Sequence, residues 1–402
     1  MAKLSDNFSP ANPNGSKDNL LFVDNVRFCS MVGIVAVHTL FRWYVPEGTS
    51  GFELQALLLQ ATKFGTVGFY LISGFLLGGR LEQRSPCEYL LRRIKSVAVP
   101  WAVWASLAVG VAVAESIVHR NFPMHFGPAI ASVGISTYRL IFFSPFWFVP
   151  NFLLSLSFLL MFRRYLDDLR LAAVLLACTL FYSVNIYGHW IASEHTTAIF
   201  GFTFYQWLGV WGARNSKLVF TFVERIQMRL LVGIIFLTGS LALAETHLLL
   251  HFTGDPYNSL RLSNQLFSVA VVIALMRLRR PTWPHFVDVR SSTFGLYLLH
   301  YICLGPVGLA MRFVQQHLMR ESLAESLAHP ALALALWLAM FFEVYILCSV
   351  AINIFLKSRK LSWIIGQRRV DAPTTVSVGA SSLPEDSAER QHRSNDLVLN
   401  PS

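Results

Sequence analysis

Apolar segments long enough to cross a membrane recur along nearly the whole of this chain. A transmembrane helix needs about 20 predominantly apolar residues, and it is favoured in lipid because it pairs its own backbone polar groups. Because 54% of the residues are hydrophobic and only 14% are charged, the chain is expected to be an all-α, polytopic membrane protein with about ten transmembrane helices. The ten segments are predicted at about residues 24–44, 62–80, 97–118, 146–162, 171–187, 197–213, 230–250, 263–279, 291–311 and 330–356.

The basic residues are distributed unevenly between the two sets of loops. Loops after even-numbered helices carry twenty-one lysines and arginines, whereas loops after odd-numbered helices carry seven. Cytoplasmic loops are the ones enriched in these residues, so both termini are predicted to be cytoplasmic. This distribution also accounts for the net charge of +10, and nucleic acid is therefore not expected as a partner.

Three regions are expected from the composition of the chain. Residues 1–20 are predicted to form a flexible cytoplasmic tail, and residues 21–358 the membrane domain. Residues 359–402 are predicted to form a cytoplasmic, largely disordered tail, because they contain too few apolar residues to pack. The five cysteines are scattered and show no CxxC or other metal-ligand spacing, so neither a disulfide framework nor a metal site is expected.

The first predicted helix has a charged pair at its start and one histidine inside its apolar stretch. Each helical residue turns about 100° and rises about 1.5 Å, so Arg27 and His38 are expected about 16 Å apart on nearly the same face. A buried, neutral imidazole is suited to accept a proton from a hydroxyl. Arg27 is suited to a phosphate, and Asp24 lies one turn away. A snorkelling arginine and a histidine bonded to a neighbouring helix explain the same pattern.

Two other segments place polar side chains where a substrate is expected. The segment LLRRIK carries Arg92, Arg93 and Lys95 on the side predicted for Arg27. These charges suit the phosphates of a cytosolic donor, and the topology of the loops explains them equally. Tyr297 and His300 lie near the middle of the ninth helix, where each is expected to have a partner or to face a wet cavity.

Further polar residues occur in or beside the other helices. Pro150, in the segment FWFVPN, is expected to interrupt the backbone hydrogen bonds of its helix, and the aromatic residues there suit either a tunnel or an interfacial belt. Glu343 lies in the tenth helix and is expected to need a cation or a shared proton. Four histidines at outer helix ends are interpreted as interfacial, with His195 or His247 as candidates for an acceptor site: His189, His195, His247 and His251.

Five short motifs follow one another in the chain: FVDNVRFCSMVGIVAVH, GFYLISGFLLGGRL, YLLRRIKSVAVPW, FWFVPNFL and GLYLLHY. Together, over about residues 20–356, they resemble the integral-membrane acyltransferase 3 family, whose members O-acylate bacterial carbohydrates. The first motif is like the family's LDxLRGxAxxxVxxxH opening, with the same spacing from arginine to histidine. Asn25 and Cys29 depart from the small residues typical there. The last helix ends in SVAINIFLKSRK rather than SYRFIExP, so no role is assigned to that end.

The resemblance implies a membrane-bound O-acyltransferase of the cell (inner) membrane. It implies transfer of an acyl group, most simply acetyl, from cytoplasmic acyl-CoA to a hydroxyl of a carbohydrate or glycolipid acceptor. The acyl-CoA is a co-substrate, and no bound cofactor is expected. The implied catalytic base is His38, and the implied donor contacts are Arg27, Arg92, Arg93 and Lys95. Supporting roles are implied for Asp24, Ser73, Gly74, Tyr297 and His300.

Two alternatives stay open at this stage. The chain is also compatible with a proton-coupled transporter or flippase of a lipid-linked saccharide, in which His38 relays a proton. No internal repeat is obvious, and paired broken helices of the kind that transporters use are not evident. A relative that binds lipid-linked sugar without catalysis is the second alternative, and the retained arginine, histidine and basic segment argue against it.

Overall fold

A computed structural model describes residues 15–79, 81, 85–118, 121–123, 125–253, 255–318, 323–358 and 360–367 of the chain. About 80% of the described residues are helical, and they contain no β-strand. The predicted all-α class is therefore confirmed. The α-helices are α1 (Gly15–Leu40), α2 (Ser50–Thr62), α3 (Gly65–Gly78), α4 (Pro86–Arg93), α5 (Val99–Val118), α6 (Phe126–Phe143), α7 (Phe148–Met161), α8 (Leu169–Gly188), α9 (Thr203–Arg214), α10 (Ser216–Arg225), α11 (Met228–Leu249), α12 (Leu262–Arg277), α13 (Val289–Leu318), α14 (Leu323–Ala328) and α15 (Pro330–Lys357).

Seven stretches of the described residues are long and apolar enough to cross a membrane, which confirms the predicted polytopic membrane protein. Four predicted spans are shorter helices in the structure, namely α3, α7, α9 and α12, with 12 to 16 residues each. The seven stretches are Leu21–Leu40, Pro86–Val118, Phe126–Phe143, Leu169–Gly188, Met228–Leu249, Val289–Met311 and Pro330–Lys357.

Three details of the helices differ from the sequence prediction. The expected long loop at 119–144 contains the apolar helix α6, most of which lies on the outside of the fold. The expected second helix at 62–80 corresponds to α3, which is preceded by α2. The helical conformation is interrupted between α2 and α3, at Lys63 and Phe64. Pro150 does not interrupt a helix, because it lies in the first turn of α7, where its missing N–H has no intrahelical partner to lose.

The ends of the membrane domain also differ from the predicted boundaries. Helix α1 begins at Gly15, inside the predicted N-terminal tail. Residues Ser362–Ile365, assigned from the sequence to the C-terminal tail, form a 3-10 turn that packs against α5 and α15. Ile365 is fully buried, and the Trp104 indole donates a 2.8 Å hydrogen bond to the carbonyl of Ile364. Two apolar residues are enough to dock this short segment, although the average composition of the tail is polar. The rest of both tails, 1–14 and 368–402, lies outside the described residues.

Helix α1 lies at the centre of the bundle, in contact with α2, α3, α12, α13 and α15. Glycines allow the closest approaches. A Cβ atom on Gly33 of α1 would lie 2.7 Å from the carbonyl oxygen of Thr62, and one on Gly65 would lie 2.6 Å from the carbonyl oxygen of Ser30. The break between α2 and α3 is therefore pressed against α1, little more than one turn from His38.

Candidate active site

The part of α1 around Arg27 carries a buried carboxylate that lies between two arginines. Asp24 accepts a 2.7 Å hydrogen bond from Arg27 Nη1 and a 2.8 Å hydrogen bond from Arg290 Nε. Only 9% of the Asp24 side chain is exposed, whereas Arg290 is mostly exposed. The contact between Asp24 and Arg27 was expected from the helical spacing. Arg290 was not, because it comes from the start of α13, far along the chain.

Asn25 and Cys29, the two departures from the family pattern, contact the loop before α13. The Asn25 amide donates to the carbonyl of Arg280 at 3.2 Å and accepts from the backbone N–H of Thr282 at 2.9 Å. Cys29 Sγ donates to the Thr282 hydroxyl at 3.4 Å. These side chains therefore fix the loop from α12 to α13 against α1.

The basic segment Arg92, Arg93 and Lys95 is separate from this carboxylate. Arg92 forms an exposed ion pair with Glu88 at 2.6 Å, and Lys95 is exposed. Arg93 donates two hydrogen bonds to the hydroxyl of Tyr89, at 3.1 and 3.0 Å. Within the described part of the chain, no hydrogen bond or ion pair joins this segment to Arg27. Exposed pairs such as Arg92 with Glu88 stabilise a fold little.

Near the C-terminal end of α1, His38 lies beside His300 of α13, with ring centroids 5.3 Å apart. The structure thus joins two residues that the sequence predicted separately. His300 is fully buried, and its Nδ1 lies 2.8 Å from the carbonyl oxygen of Tyr297 and 3.1 Å from that of Leu296. Because a carbonyl only accepts, Nδ1 carries the proton and Nε2 is the acceptor. That Nε2 is buried and has no partner among the described residues. His38 itself is partly buried.

Tyr297 fixes α13 against the start of α7. Its hydroxyl donates a 2.9 Å hydrogen bond to the carbonyl of Pro145, and its ring packs on Phe148 and Phe294. The hydroxyl is thus used within the protein, and the ring forms one wall beside His300. This position fits a residue that holds the site together rather than one that exchanges protons.

Ser73 and Gly74 lie where α3 crosses α9. The Ser73 hydroxyl donates to the carbonyl of Tyr70, one turn back in the same helix, at 2.8 Å. A Cβ atom on Gly74 would lie 1.9 Å from the carbonyl oxygen of Gln206, and one on Gly209 would lie 2.0 Å from that of Leu71. The two backbones therefore meet without side chains between them.

Three charged or titratable side chains, of Lys63, His195 and Asp255, form a group near His38. Lys63, at the break between α2 and α3, is buried, and its ammonium lies 5.0 Å from the centroid of the Phe41 ring. His195, in the loop after α8, binds Asp255, in the loop after α11, through a 2.6 Å contact between Nδ1 and Oδ2. Lys63 and His195 are both close enough for their charges to act on His38. The only advance signal was His195 as a candidate for an acceptor site.

The other two candidates lie apart from this group. His247 pairs with Glu53 at 3.2 Å in a largely exposed position on α11 and α2. Glu343 lies on the exposed face of α15, where no contact of its carboxylate occurs within the described residues. The cation or shared proton expected for Glu343 is therefore not supplied by the described part of this chain.

Comparison with known proteins identifies one family. A family model described as an acyltransferase domain matches residues 20–355, which is most of the chain. No curated protein and no solved structure matches the chain significantly. The matched range contains Arg27, His38 and every side chain of the group around His38.

Proposed function

The chain belongs to the acyltransferase 3 family, and on that premise we propose that it is a membrane-bound O-acyltransferase of the cell (inner) membrane. Family membership supports acyl transfer in a membrane. The proposal adds that the donor is cytoplasmic acyl-CoA, that the group is acetyl, and that the acceptor is a hydroxyl of a carbohydrate or glycolipid. Both termini are proposed to face the cytoplasm, because the loops on that side carry most of the lysines and arginines.

One observation carries the proposal: a single helix carries an arginine paired with a carboxylate and, about three turns further along, a histidine inside the bundle. Arg27 and His38 are separated by about 16 Å along the axis of α1, a distance that a pantetheine arm spans. Asp24 holds Arg27 in place, and His300 lies beside His38. We assign Arg27, Arg92, Arg93 and Lys95 to the phosphates of the donor and His38 to the reacting end.

The proposed reaction needs no reactant beyond donor and acceptor. His38 takes the proton of the acceptor hydroxyl while the oxygen forms a bond to the thioester carbonyl carbon. The tetrahedral intermediate then breaks its carbon–sulfur bond and expels the CoA thiolate. The protonated His38 returns the proton to that sulfur, so the histidine ends the cycle neutral.

The test is to replace His38 and to measure transfer from acetyl-CoA. A general base contributes about 100-fold to 10,000-fold to a rate, so we expect His38→Ala to lower transfer of radiolabelled acetyl groups into extracted carbohydrate by at least 100-fold. His251→Ala, an exposed histidine after α11, is the matched control and should keep the wild-type rate.

Two results would contradict the proposal. The first is a folded His38→Ala protein, with an unchanged melting temperature, that transfers acetyl at a rate within twofold of wild type. The second is a wild-type protein that uses no acyl-CoA but moves a lipid-linked saccharide across vesicles in response to a pH gradient. That result would favour the transporter alternative, in which His38 relays protons.

A further inference from the structure

The pair formed by His195 and Asp255 is a built feature and not a chance surface contact. Besides the contact from Nδ1, the backbone N–H of His195 donates to the same Asp255 oxygen at 3.3 Å. The exposed fractions of the two side chains are 18% and 17%. The Asn258 amide donates to the carbonyl of Ser193 at 2.7 Å and joins the same two loops. Two loops from different parts of the chain are thus held together around one imidazole.

The contact between His195 and Asp255 uses Nδ1 of the imidazole and leaves Nε2 for another partner. Burial favours a higher pKa for Asp255, but the charge of His195, its hydrogen bonds and the charge of Lys63 together hold that pKa well below its usual range. Asp255 Oδ2 accepts the proton on Nδ1, so Nε2 is the ring nitrogen left for a ligand. Nε2 makes no hydrogen bond to any described residue, and it is not sealed from solvent.

Three hydroxyls on the same two loops also have no hydrogen-bond partner among the described residues. The hydroxyls of Thr196, Tyr257 and Ser259 are buried without a hydrogen bond among the described residues. Thr196 follows His195 directly, and Tyr257 packs on Phe41, the ring beneath the Lys63 ammonium. Buried polar groups are costly unless a partner satisfies them. A ligand with several hydroxyls, such as a sugar ring, supplies such partners at once.

We propose that His195, oriented by Asp255, binds the acceptor of the reaction. Its Nε2 accepts a hydrogen bond from a sugar hydroxyl next to the one that reacts, and the reacting hydroxyl is left to His38. The Lys63 ammonium donates to a further oxygen of the same sugar. Asp255 acts through His195 and is a positioning residue. This inference rests on the proposed acyl transfer, and it names where and how a carbohydrate acceptor is held.

The decisive variant is His195→Asn in the full-length protein. The asparagine amide still donates to Asp255 in place of Nδ1, so the contact between the loops remains, but the acceptor at Nε2 is lost. Two quantities are measured: the ester-linked acetyl on total carbohydrate from cells that make each variant, by mass spectrometry, and the Kd of the purified protein for acetyl-CoA. Asp255→Asn is the second variant. His247→Asn, from the more exposed histidine–carboxylate pair with Glu53, is the matched control.

We expect His195→Asn and Asp255→Asn to lower carbohydrate acetylation at least tenfold while the Kd for acetyl-CoA stays within twofold of wild type. His247→Asn should change neither quantity. Acetylation within twofold of wild type in both variants overturns the inference. A parallel loss of acetylation and donor binding also overturns it, because the residues then support the fold or the donor site. Wild-type protein that binds acetyl-CoA but adds no acetyl to carbohydrate would instead refute the proposed function.

Discussion

Gly74→Ala tests the close approach of α3 and α9. The new Cβ atom would lie 1.9 Å from the carbonyl oxygen of Gln206, so the two helices must separate by roughly 1.5 Å to restore an ordinary contact. No side chain can rotate to relieve the overlap, because the carbonyl oxygen of Gln206 belongs to the backbone.

The expected loss in the free energy of unfolding follows from the packing between α3 and α9 that this separation weakens. Gly78 and Gly209 make similar contacts along the same crossing, at 2.7 Å and 2.0 Å from backbone oxygens, so the displacement is shared by the whole interface. A gap of about 0.5–1 Å forfeits a quarter to a half of the dispersion energy of the atoms that face it. We therefore expect a loss of about 3 kcal/mol, the upper end of the range for overpacked cores.

The assay is the thermal unfolding of the purified protein in detergent, followed by tryptophan fluorescence. Gly79→Ala is the matched control, because a Cβ atom there meets nothing within 4 Å. We expect Gly74→Ala to unfold several degrees lower than wild type and Gly79→Ala to unfold at the wild-type temperature. Equal midpoints for the two variants would refute the described crossing of α3 and α9.

Two further substitutions test the ends of the bundle. Asp24→Asn removes the charge between Arg27 and Arg290, and hydrogen bonds to charged groups contribute about 1.5–3 kcal/mol. We therefore expect KM for acyl-CoA to rise about tenfold with a smaller change in kcat. A large fall in kcat with little change in KM would contradict a role in donor binding. Arg261→Lys removes hydrogen bonds from a fully buried guanidinium to Gln60 and Thr246. The free energy of unfolding should therefore fall by about 3 kcal/mol. Arg279→Lys, at an exposed position, is the control and should leave the melting temperature unchanged.

Much of the fold could be predicted because it depends on local properties of the chain. The length and apolarity of the segments determine that they form membrane helices, since lipid offers the backbone no other partner. The helical period alone places Arg27 and His38 on one face of α1. Helix α6 escaped prediction because its polar flanks, with histidines and prolines, resemble a loop. The segment at Ser362–Ile365 escaped because two apolar residues do not alter an average over a tail.

The partners of these residues were decided by the tertiary structure. Asp24 and Arg290 are 266 residues apart in the chain, and His195 and Asp255 are 60 apart. A helical pattern shows which face of a helix is buried, but it does not show which other helix covers that face. The sequence by itself therefore determined a membrane bundle with a histidine inside its first helix. The packing of α13 and of the loops after α8 and α11 around that helix determined which side chains surround the histidine.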